Sequence, residues 1–214
     1  VLEVSHMGYL FGLFDALGVP ENARPGLLEK LREKNAHELR RAAQATGLDA
    51  AGADALTGLL ELSGSCEETL AKAESACCND RMRAAAAELR ALAKTLEASG
   101  GAVRLDLSLA GEMEYYNGLV FQGYLRGLPR PLLKGGRYDL LMQKFTPGAG
   151  AIGFAVYLDE LDRLSAPTPP VQRNSTGRVM LNVALPKGRL GDRMYDLLAR
   201  IGYGCTEDYN ATRK

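Results

Sequence analysis

The chain of 214 residues is long enough for one sizeable hydrophobic core and part of a second. Hydrophobic residues make up 46% of it and charged residues 24%, the balance of a folded globular protein and not of a disordered or membrane-spanning chain. Its 26 basic and 26 acidic side chains cancel, so the sequence offers no bulk positive field of the kind that concentrates a nucleic acid.

Cysteine and histidine usage indicates neither disulfide bonds nor a metal site. The four cysteines lack CxxC spacing, and neither of the two histidines is near a cysteine in sequence. No apolar run approaches the roughly 18 residues of a membrane span, and the N-terminus lacks the pattern of a targeting signal. We therefore expect reduced thiols, with Cys77 and Cys78 in helix packing, no metal, no membrane association and a cytoplasmic location.

The N-terminal part predicts a strand, a helix and then a helical region. Residues 2–5 alternate apolar and polar side chains, and apolar side chains recur at helical spacing over residues 10–17. His6 stands between these elements, a position that favours a capping or core role. Residues 22–99 are rich in Ala and Leu with charges at helical spacing, which predicts a helical insertion. Since no initiator Met precedes the strand, we expect the chain to begin within a domain.

Period-two alternation replaces helical spacing after the glycine pair at 100–101. Residues 103–109 predict a strand with one solvated face, and residues 118–123 predict a second. A turn at 126–131 then leads to the apolar pair 132–133, and an antiparallel meander is the simplest interpretation.

The following segment predicts further short elements and a linker. Gly135 and Gly136 precede a short helix over residues 137–142, and the apolar run 152–157 predicts a strand that enters a helix over 158–164. Residues 165–177 hold three of the nine prolines, so we place an extended linker at 166–177.

Beyond the linker, the sequence predicts one β-loop-α unit of an α/β domain. Residues 179–185 are nearly continuously apolar, 186–189 form a loop, and apolar side chains recur at helical spacing over 190–201. One such unit cannot bury a sheet, so we expect this domain to be incomplete.

The segment EMEYYNGLVF, residues 112–121, is the first candidate for a ligand site. Adjacent residues of a strand point to opposite faces, so Tyr115 and Tyr116 cannot both be core. One ring can pack against a flat ligand while its hydroxyl donates a hydrogen bond. A tyrosine pair on a half-buried strand is the alternative.

The segment KGGRYD, residues 134–139, is the second candidate. Its paired glycines allow a backbone to approach a ligand closely, and Arg137 and Tyr138 offer a forked donor and an aromatic face. A plain turn into a helix is the alternative, with Arg137 paired to Asp139 or Glu114.

Residues 1–164 resemble the core of a class II histidyl-tRNA synthetase beyond its second class motif. EYYNGLVF is similar to the family's histidine-pocket signature, KGGRYDLL to its second histidine-binding segment, and AIGFAVYLDEL to its third class motif. The resemblance implies an α+β fold, a partial class II core of an antiparallel sheet with helices and the helical insertion. It also implies a set of histidine-binding residues: Glu114, Tyr115, Tyr116, Gly135, Gly136, Arg137 and Tyr138.

Two departures from the synthetase pattern remove positive charge needed for catalysis. Gly111 stands where the family has an arginine that helps to activate histidine, and Glu160 stands where it has an arginine that holds ATP. A sequence that keeps the amino-acid pocket but lacks these two arginines resembles the synthetase-like regulatory subunits of ATP phosphoribosyltransferase, which sense histidine. The alternative is a divergent histidyl-tRNA synthetase that uses Arg163 in place of the missing arginine.

Residues 179–203 resemble the start of the short-form ATP phosphoribosyltransferase catalytic subunit. The resemblance implies that Lys187, Gly188 and Arg189 bind phosphate or pyrophosphate at a helix N-terminus, a basic surface turn being the alternative. Mg²⁺ and ATP are expected only for the complete transferase, and no cofactor is expected for this chain alone.

Together these patterns predict a regulatory module fused to its own enzyme. We expect a regulatory domain at 1–165, the linker at 166–177 and the start of a catalytic domain at 178–214. The expected partners are L-histidine and the ATP phosphoribosyltransferase catalytic subunit, in a homo- or hetero-oligomer and without nucleic acid. Tethering would raise the effective concentration of the catalytic partner.

Overall fold

The structure is a computed structural model that describes residues 1–111, 115–161 and 189–200. The chain divides into two compact units, Val1–Leu164 and Ser165–Lys214. In the first unit the described residues form a mixed sheet covered by helices, an α+β fold as expected from the sequence. In the second unit they form one helix, α9 (Arg189–Arg200).

Six strands make up the sheet of the first unit, in the order β2-β3-β1-β4-β5-β6. Their bounds are β1 (Leu2–His6), β2 (Ser63–Gly64), β3 (Val103–Asp106), β4 (Leu119–Gly123), β5 (Leu133–Arg137) and β6 (Ile152–Val156). Strand β1 runs parallel to β3, and the other neighbours are antiparallel. A parallel pair needs a long crossover, and the helical insertion provides it between β1 and β3.

Eight α-helices accompany the sheet among the described residues of this unit. They are α1 (Met7–Ala16), α2 (Arg24–Arg32), α3 (Ala36–Ala45), α4 (Ala50–Gly58), α5 (Cys66–Ser75), α6 (Asp80–Ala98), α7 (Asp139–Met142) and α8 (Leu158–Leu161). Short 3-10 turns occupy Glu21–Ala23 and Leu59–Glu61. No helix in the described ranges is long and apolar enough to cross a membrane.

The core lies where α1 and α6 pack on each other and on β1. Phe14, Leu89 and Val4 are each at most 1% exposed there. Asn79 begins α6: its Oδ1 accepts from the Met82 N–H at 2.9 Å, and its Nδ2 donates to the Gly12 carbonyl of α1 at 2.7 Å. The side chain of Asn79 therefore caps α6 and also joins it to α1.

Side chains alternate between the two faces of the sheet. The register pairs Val4 with Phe121 and Phe121 with Gly135, so these positions and Arg137 share the face that α1 and α6 cover, here called the helix face. Val120, Lys134 and Gly136 share the opposite face, here called the pocket face.

The predicted antiparallel meander from residue 103 onward is wrong at its first strand. Strand β3 does not pair with β4, because β1 lies between them, and β3 ends at Asp106 although the alternation continues to Leu109. The buried Asp106 carboxylate accepts from both the backbone N–H and the hydroxyl of Ser108, which turns the chain out of the sheet. The meander holds for β4, β5 and β6.

The glycine pair at 135–136 does not precede a helix directly but lies inside β5. Gly135 pairs with Phe121 and Phe154, and Gly136 pairs with Val120 and Gly153. A glycine inside a strand marks a place where another group approaches closely. Helix α7 consequently begins only at Asp139.

Candidate functional site

A cavity of about 510 Å³ opens on the pocket face of β4, β5 and β6. Aromatic and apolar groups dominate its described lining, and the charged side chain in that lining is Lys134. The described lining residues are Leu109, Gly111, Tyr115, Tyr116, Val120, Phe121, Gln122, Lys134, Gly135, Tyr138, Leu141, Gly153, Phe154, Ala155 and Tyr157. A largely apolar cavity with few polar groups is typical of a small-molecule site.

Three tyrosines form one wall of the cavity. The ring centroids of Tyr115 and Tyr116 are 5.0 Å apart, those of Tyr115 and Tyr138 5.7 Å, and those of Tyr116 and Tyr138 6.4 Å. These are the separations of edge-to-face aromatic pairs. Burial and the neighbouring hydroxyl of Tyr115 raise the pKa of Tyr116, so its hydroxyl keeps its proton at neutral pH.

Both tyrosines of the adjacent pair line the cavity, which the strand argument did not anticipate. Tyr115 and Tyr116 precede β4, which begins at Leu119, and lie in a turn where period-two alternation does not apply. The Asn117 N–H donates to the Arg137 carbonyl at 3.1 Å and ties this turn to the end of β5.

Glycines let the tyrosine rings lie directly on the sheet. A Cβ atom at Gly136 would be 2.8 Å from Tyr116 Cδ1 and 2.9 Å from the Leu119 carbonyl oxygen. A Cβ atom at Gly153 would be 2.9 Å from the Tyr138 hydroxyl oxygen. Side chains at these two positions would displace the wall of the cavity.

Gly111 is enclosed in the same way, which gives the missing arginine a structural meaning. A Cβ atom there would be 2.6 Å from Tyr116 Cδ2 and 3.2 Å from Val120 Cγ1. The Tyr116 ring therefore fills the space that a side chain at position 111 would enter. The departure at Gly111 removes a charge and also excludes any replacement side chain without movement of Tyr116.

Arg137 lies on the helix face of β5 and is not part of the described cavity lining. Its Nη2 donates to Glu88 Oε2 of α6 at 3.1 Å, its Nη1 donates to Glu88 Oε1, and its Nε is 3.3 Å from Asp139 Oδ2. The pairing with Asp139 was one of the alternatives that the sequence left open. The pairing with Glu88 was not foreseen.

His6 caps α1 and contacts the same carboxylate, so its predicted capping role is confirmed. Its Nδ1 accepts from the Gly8 N–H at 2.9 Å, and its Nε2 lies 3.0 Å from Glu88 Oε2. Burial lowers the pKa of His6, although the hydrogen bond and charge of Glu88 oppose this. An accepting Nδ1 requires the neutral ring with its proton on Nε2, so the contact with Glu88 is a hydrogen bond and not an ion pair.

We expect the neutral His6 ring to make stability depend on pH. The unfolded chain takes up a proton near the ordinary value of 6.5, while the folded chain resists it. The neutral His6 ring therefore makes its full contribution to the free energy of unfolding above pH 6.5. This contribution is lost as the pH falls from 6.5 through the lowered pKa of the folded chain, at up to about 1.4 kcal/mol per pH unit. Urea denaturation of wild type and His6→Gln between pH 5 and about 7.5 measures it.

His37, which is exposed on α3, provides the control. Replacing this exposed side chain by Gln leaves the contacts of His6 with Gly8 and Glu88 in place, whereas His6→Gln removes them and should flatten the dependence of unfolding free energy on pH. Equal slopes for wild type and His6→Gln would contradict the assignment of a neutral, capping His6.

The other predicted positions have different outcomes. Glu160 is 2% exposed on α8, 3.9 Å from Arg130 Nη1 and outside the described cavity lining, so its carboxylate does not face the cavity that we describe. Glu114, Arg163, Lys187 and Gly188 lie outside the described residues. Helix α9 begins at Arg189, whose backbone alone is described.

Lys134 and Gln122 are cavity residues that the sequence arguments missed. They are paired neighbours on β5 and β4 and lie on the pocket face with Gly136. Strand alternation from Gly136 would have placed Lys134 on this face, had the glycines been assigned to a strand. In the described ranges, no group of three or more His, Cys, Asp and Glu side chains is arranged to hold a metal ion.

A mixed sheet with helices on one face and a tyrosine-walled cavity on the other is typical of a class II aminoacyl-tRNA synthetase-like core. The family profile of the histidyl-tRNA synthetases matches residues 1–161. The chain therefore belongs to the histidyl-tRNA synthetase family.

Within that family the chain is similar to proteins named for a regulatory role. It is 40% identical over 164 residues to the ATP phosphoribosyltransferase regulatory subunit of Shouchella clausii. The matched region covers 75% of this chain and 41% of that protein. The chain thus spans about two fifths of the length of the curated relatives it matches.

Solved structures show the same fold. One from Bacillus halodurans, described as an ATP phosphoribosyltransferase regulatory subunit/histidyl-tRNA synthetase, has a TM-score of 0.68 and 34% identity over 77% of this chain and 44% of that one. A histidine–tRNA ligase subunit from Alicyclobacillus acidocaldarius has a TM-score of 0.61 and 30% identity over 75% of this chain and 52% of that one.

Proposed function

We propose that this chain carries the histidine-binding core of an ATP phosphoribosyltransferase regulatory subunit. In this role it binds L-histidine and adjusts the activity of the catalytic subunit at the first step of histidine biosynthesis. The observation that carries the proposal is a tyrosine-walled cavity in which the activating arginine is replaced by an enclosed glycine, Gly111. The names of the relatives support the same function.

The cavity has the groups that an imidazole-bearing amino acid needs. A flat imidazole can pack against the wall that Tyr116 and Tyr138 help to form, and the hydroxyls of both tyrosines can each donate or accept a hydrogen bond. Lys134 supplies a cation for the ligand carboxylate from the floor of the cavity. Gly136 leaves room for the Tyr116 ring and Gly153 for the Tyr138 hydroxyl, so both tyrosines keep their places in the wall.

Recognition without turnover agrees with the charges in the described part of the cavity lining. Activation of an amino acid by ATP develops negative charge on phosphate oxygens, which synthetases stabilise with arginines. In the described lining Lys134 is the charged side chain, and a side chain at position 111 would require Tyr116 to move. We therefore assign the cavity to sensing.

Titration calorimetry of the full-length protein with L-histidine tests the proposal. We expect binding for wild type, and about tenfold or greater weakening for Tyr138→Ala and Tyr116→Ala, because each loses a packed aromatic wall. Phe145 is 76% exposed and outside the described lining, so Phe145→Ala is the matched aromatic control and should bind as wild type does. Absence of binding to folded wild-type protein would refute the sensing function.

We further propose a fused organisation, with a regulatory domain at 1–165, a linker at 166–177 and the start of a catalytic domain at 178–214. The resemblance of residues 179–203 to the catalytic subunit supports it, with Lys187, Gly188 and Arg189 as the phosphate-binding loop. The coding region downstream of residue 214 decides the matter: an in-frame transferase supports the fusion, and an early stop codon contradicts it.

The proposed partners and location follow from the same function. The transferase catalytic subunit and L-histidine are the proposed partners, and Mg²⁺ and ATP belong to the complete transferase. Free thiols at Cys66, Cys77 and Cys78 agree with a reducing cytoplasm. ATP phosphoribosyltransferase activity of the complete assembly, measured with and without L-histidine, tests the regulatory step.

A further inference from the structure

An ion pair joins the longest helix of the insertion to the strand beneath the cavity. Glu88 of α6 takes two hydrogen bonds from the Arg137 guanidinium, one of them at 3.1 Å, and a third from His6 Nε2 at 3.0 Å. The side chains of Glu88 and Arg137 are 36% and 30% exposed. A planar fork on a carboxylate fixes direction as well as distance.

Arg137 connects its ion pair with Glu88 to the residues of the cavity wall. It stands between Gly136, on which the Tyr116 ring lies, and Tyr138, which forms part of the wall. Its carbonyl accepts from the Asn117 N–H at 3.1 Å, in the turn that carries Tyr116. A Cβ atom at Gly118 would collide with the guanidinium, so that turn also packs directly against Arg137.

We propose that Glu88 is a positioning residue for the ligand cavity, acting through Arg137 from the opposite face of the sheet. Glu88 holds the guanidinium, the guanidinium holds the end of β5, and β5 with the Asn117 turn sets the positions of Tyr116 and Tyr138. The role in ligand binding rests on the proposed sensing function. The role in holding β5 does not.

Helix α6, which carries Glu88, is held in place by its cap and by its packing. Helix α6 spans Asp80–Ala98, is capped by Asn79 and packs along α1. Burial alone would raise the pKa of Glu88, but the hydrogen bonds from Arg137 and His6 outweigh it and lower the pKa, so the carboxylate stays charged at neutral pH. The same helix belongs to the insertion, so a movement of α6 would be felt in the cavity.

Glu88→Gln in the full-length protein tests the proposal, with Glu74→Gln as the matched control. Glu74 of α5 also takes two hydrogen bonds from one arginine, Nε and Nη2 of Arg90 of α6, both at 2.7 Å and away from the cavity lining. We expect about a tenfold weaker affinity for L-histidine in Glu88→Gln and less than about a twofold change in Glu74→Gln. Arg137→Lys, which keeps the charge but loses the fork, should weaken binding similarly, and the double variant should be no weaker than either single one.

Amide hydrogen exchange of residues 133–138 gives a readout that needs no ligand. We expect faster exchange there in Glu88→Gln than in wild type and Glu74→Gln, at equal exchange in the α1–α6 core. Unchanged exchange in β5 overturns the proposal, and so does a histidine affinity within about twofold of wild type. If folded wild type does not bind L-histidine, the sensing function fails and β5 exchange alone decides the role of Glu88.

Discussion

Replacing Gly135 by Ala is expected to lower the free energy of unfolding by about 3 kcal/mol or more. The added Cβ would be 2.6 Å from Phe121 Cζ and 2.7 Å from Phe154 Cβ, and it would also press on the Gly153 carbonyl oxygen. A side chain can rotate away, but a backbone carbonyl in the neighbouring strand cannot move without breaking the β5–β6 pairing. Overpacking at such a site is resolved by separating the strands.

Urea denaturation measures this effect, and Gly26→Ala is its control. Gly26 is exposed in α2 with nothing within 4 Å of its Cβ position, so Ala there should be neutral or stabilise by up to about 1 kcal/mol through helix propensity. If the free energy of unfolding of Gly135→Ala lies within about 0.5 kcal/mol of the wild-type value, then β5 and β6 are not packed as described.

The fold class was accessible from the sequence because its strongest signals are local. Helical spacing within 22–99 and the strand at β1 come from neighbouring residues, and the family motifs marked Tyr116 and Tyr138 as cavity residues. The order of strands was less accessible. The parallel pairing of β1 with β3 depends on the packing of a whole insertion, and β3 ends where the Asp106 carboxylate finds Ser108.

The directions of the Arg137 and Lys134 side chains were missed because Gly135 and Gly136 were not assigned to a strand. Arg137 directly precedes the cavity residue Tyr138 in sequence and was assigned to the ligand, yet strand alternation turns it to the helix face. Its partner Glu88 is 49 residues away and belongs to the insertion, so no spacing rule connects them. The same alternation brings Lys134 into the cavity.

Introducing an arginine at position 111 is expected to weaken the binding of L-histidine strongly without creating histidine activation by ATP. In Gly111→Arg the new Cβ would displace Tyr116, whose Cδ2 is 2.6 Å from that position, and the affinity for L-histidine should fall about tenfold to hundredfold. Gly111→Ala introduces the same Cβ without a charge and should show most of this loss. The comparison separates crowding of Tyr116 from the effect of the guanidinium.

Two measurements decide between sensing and catalysis in these variants. Calorimetry with L-histidine follows the loss of binding, with Gly26→Arg as a control that adds the same side chain at an exposed site. Histidine-dependent exchange of pyrophosphate with ATP follows activation and should stay at background in wild type and in Gly111→Arg. Exchange above background in wild type would favour the divergent synthetase instead. Exchange gained in Gly111→Arg would mean that the missing charge alone, and not the position of Tyr116, keeps this cavity from catalysis.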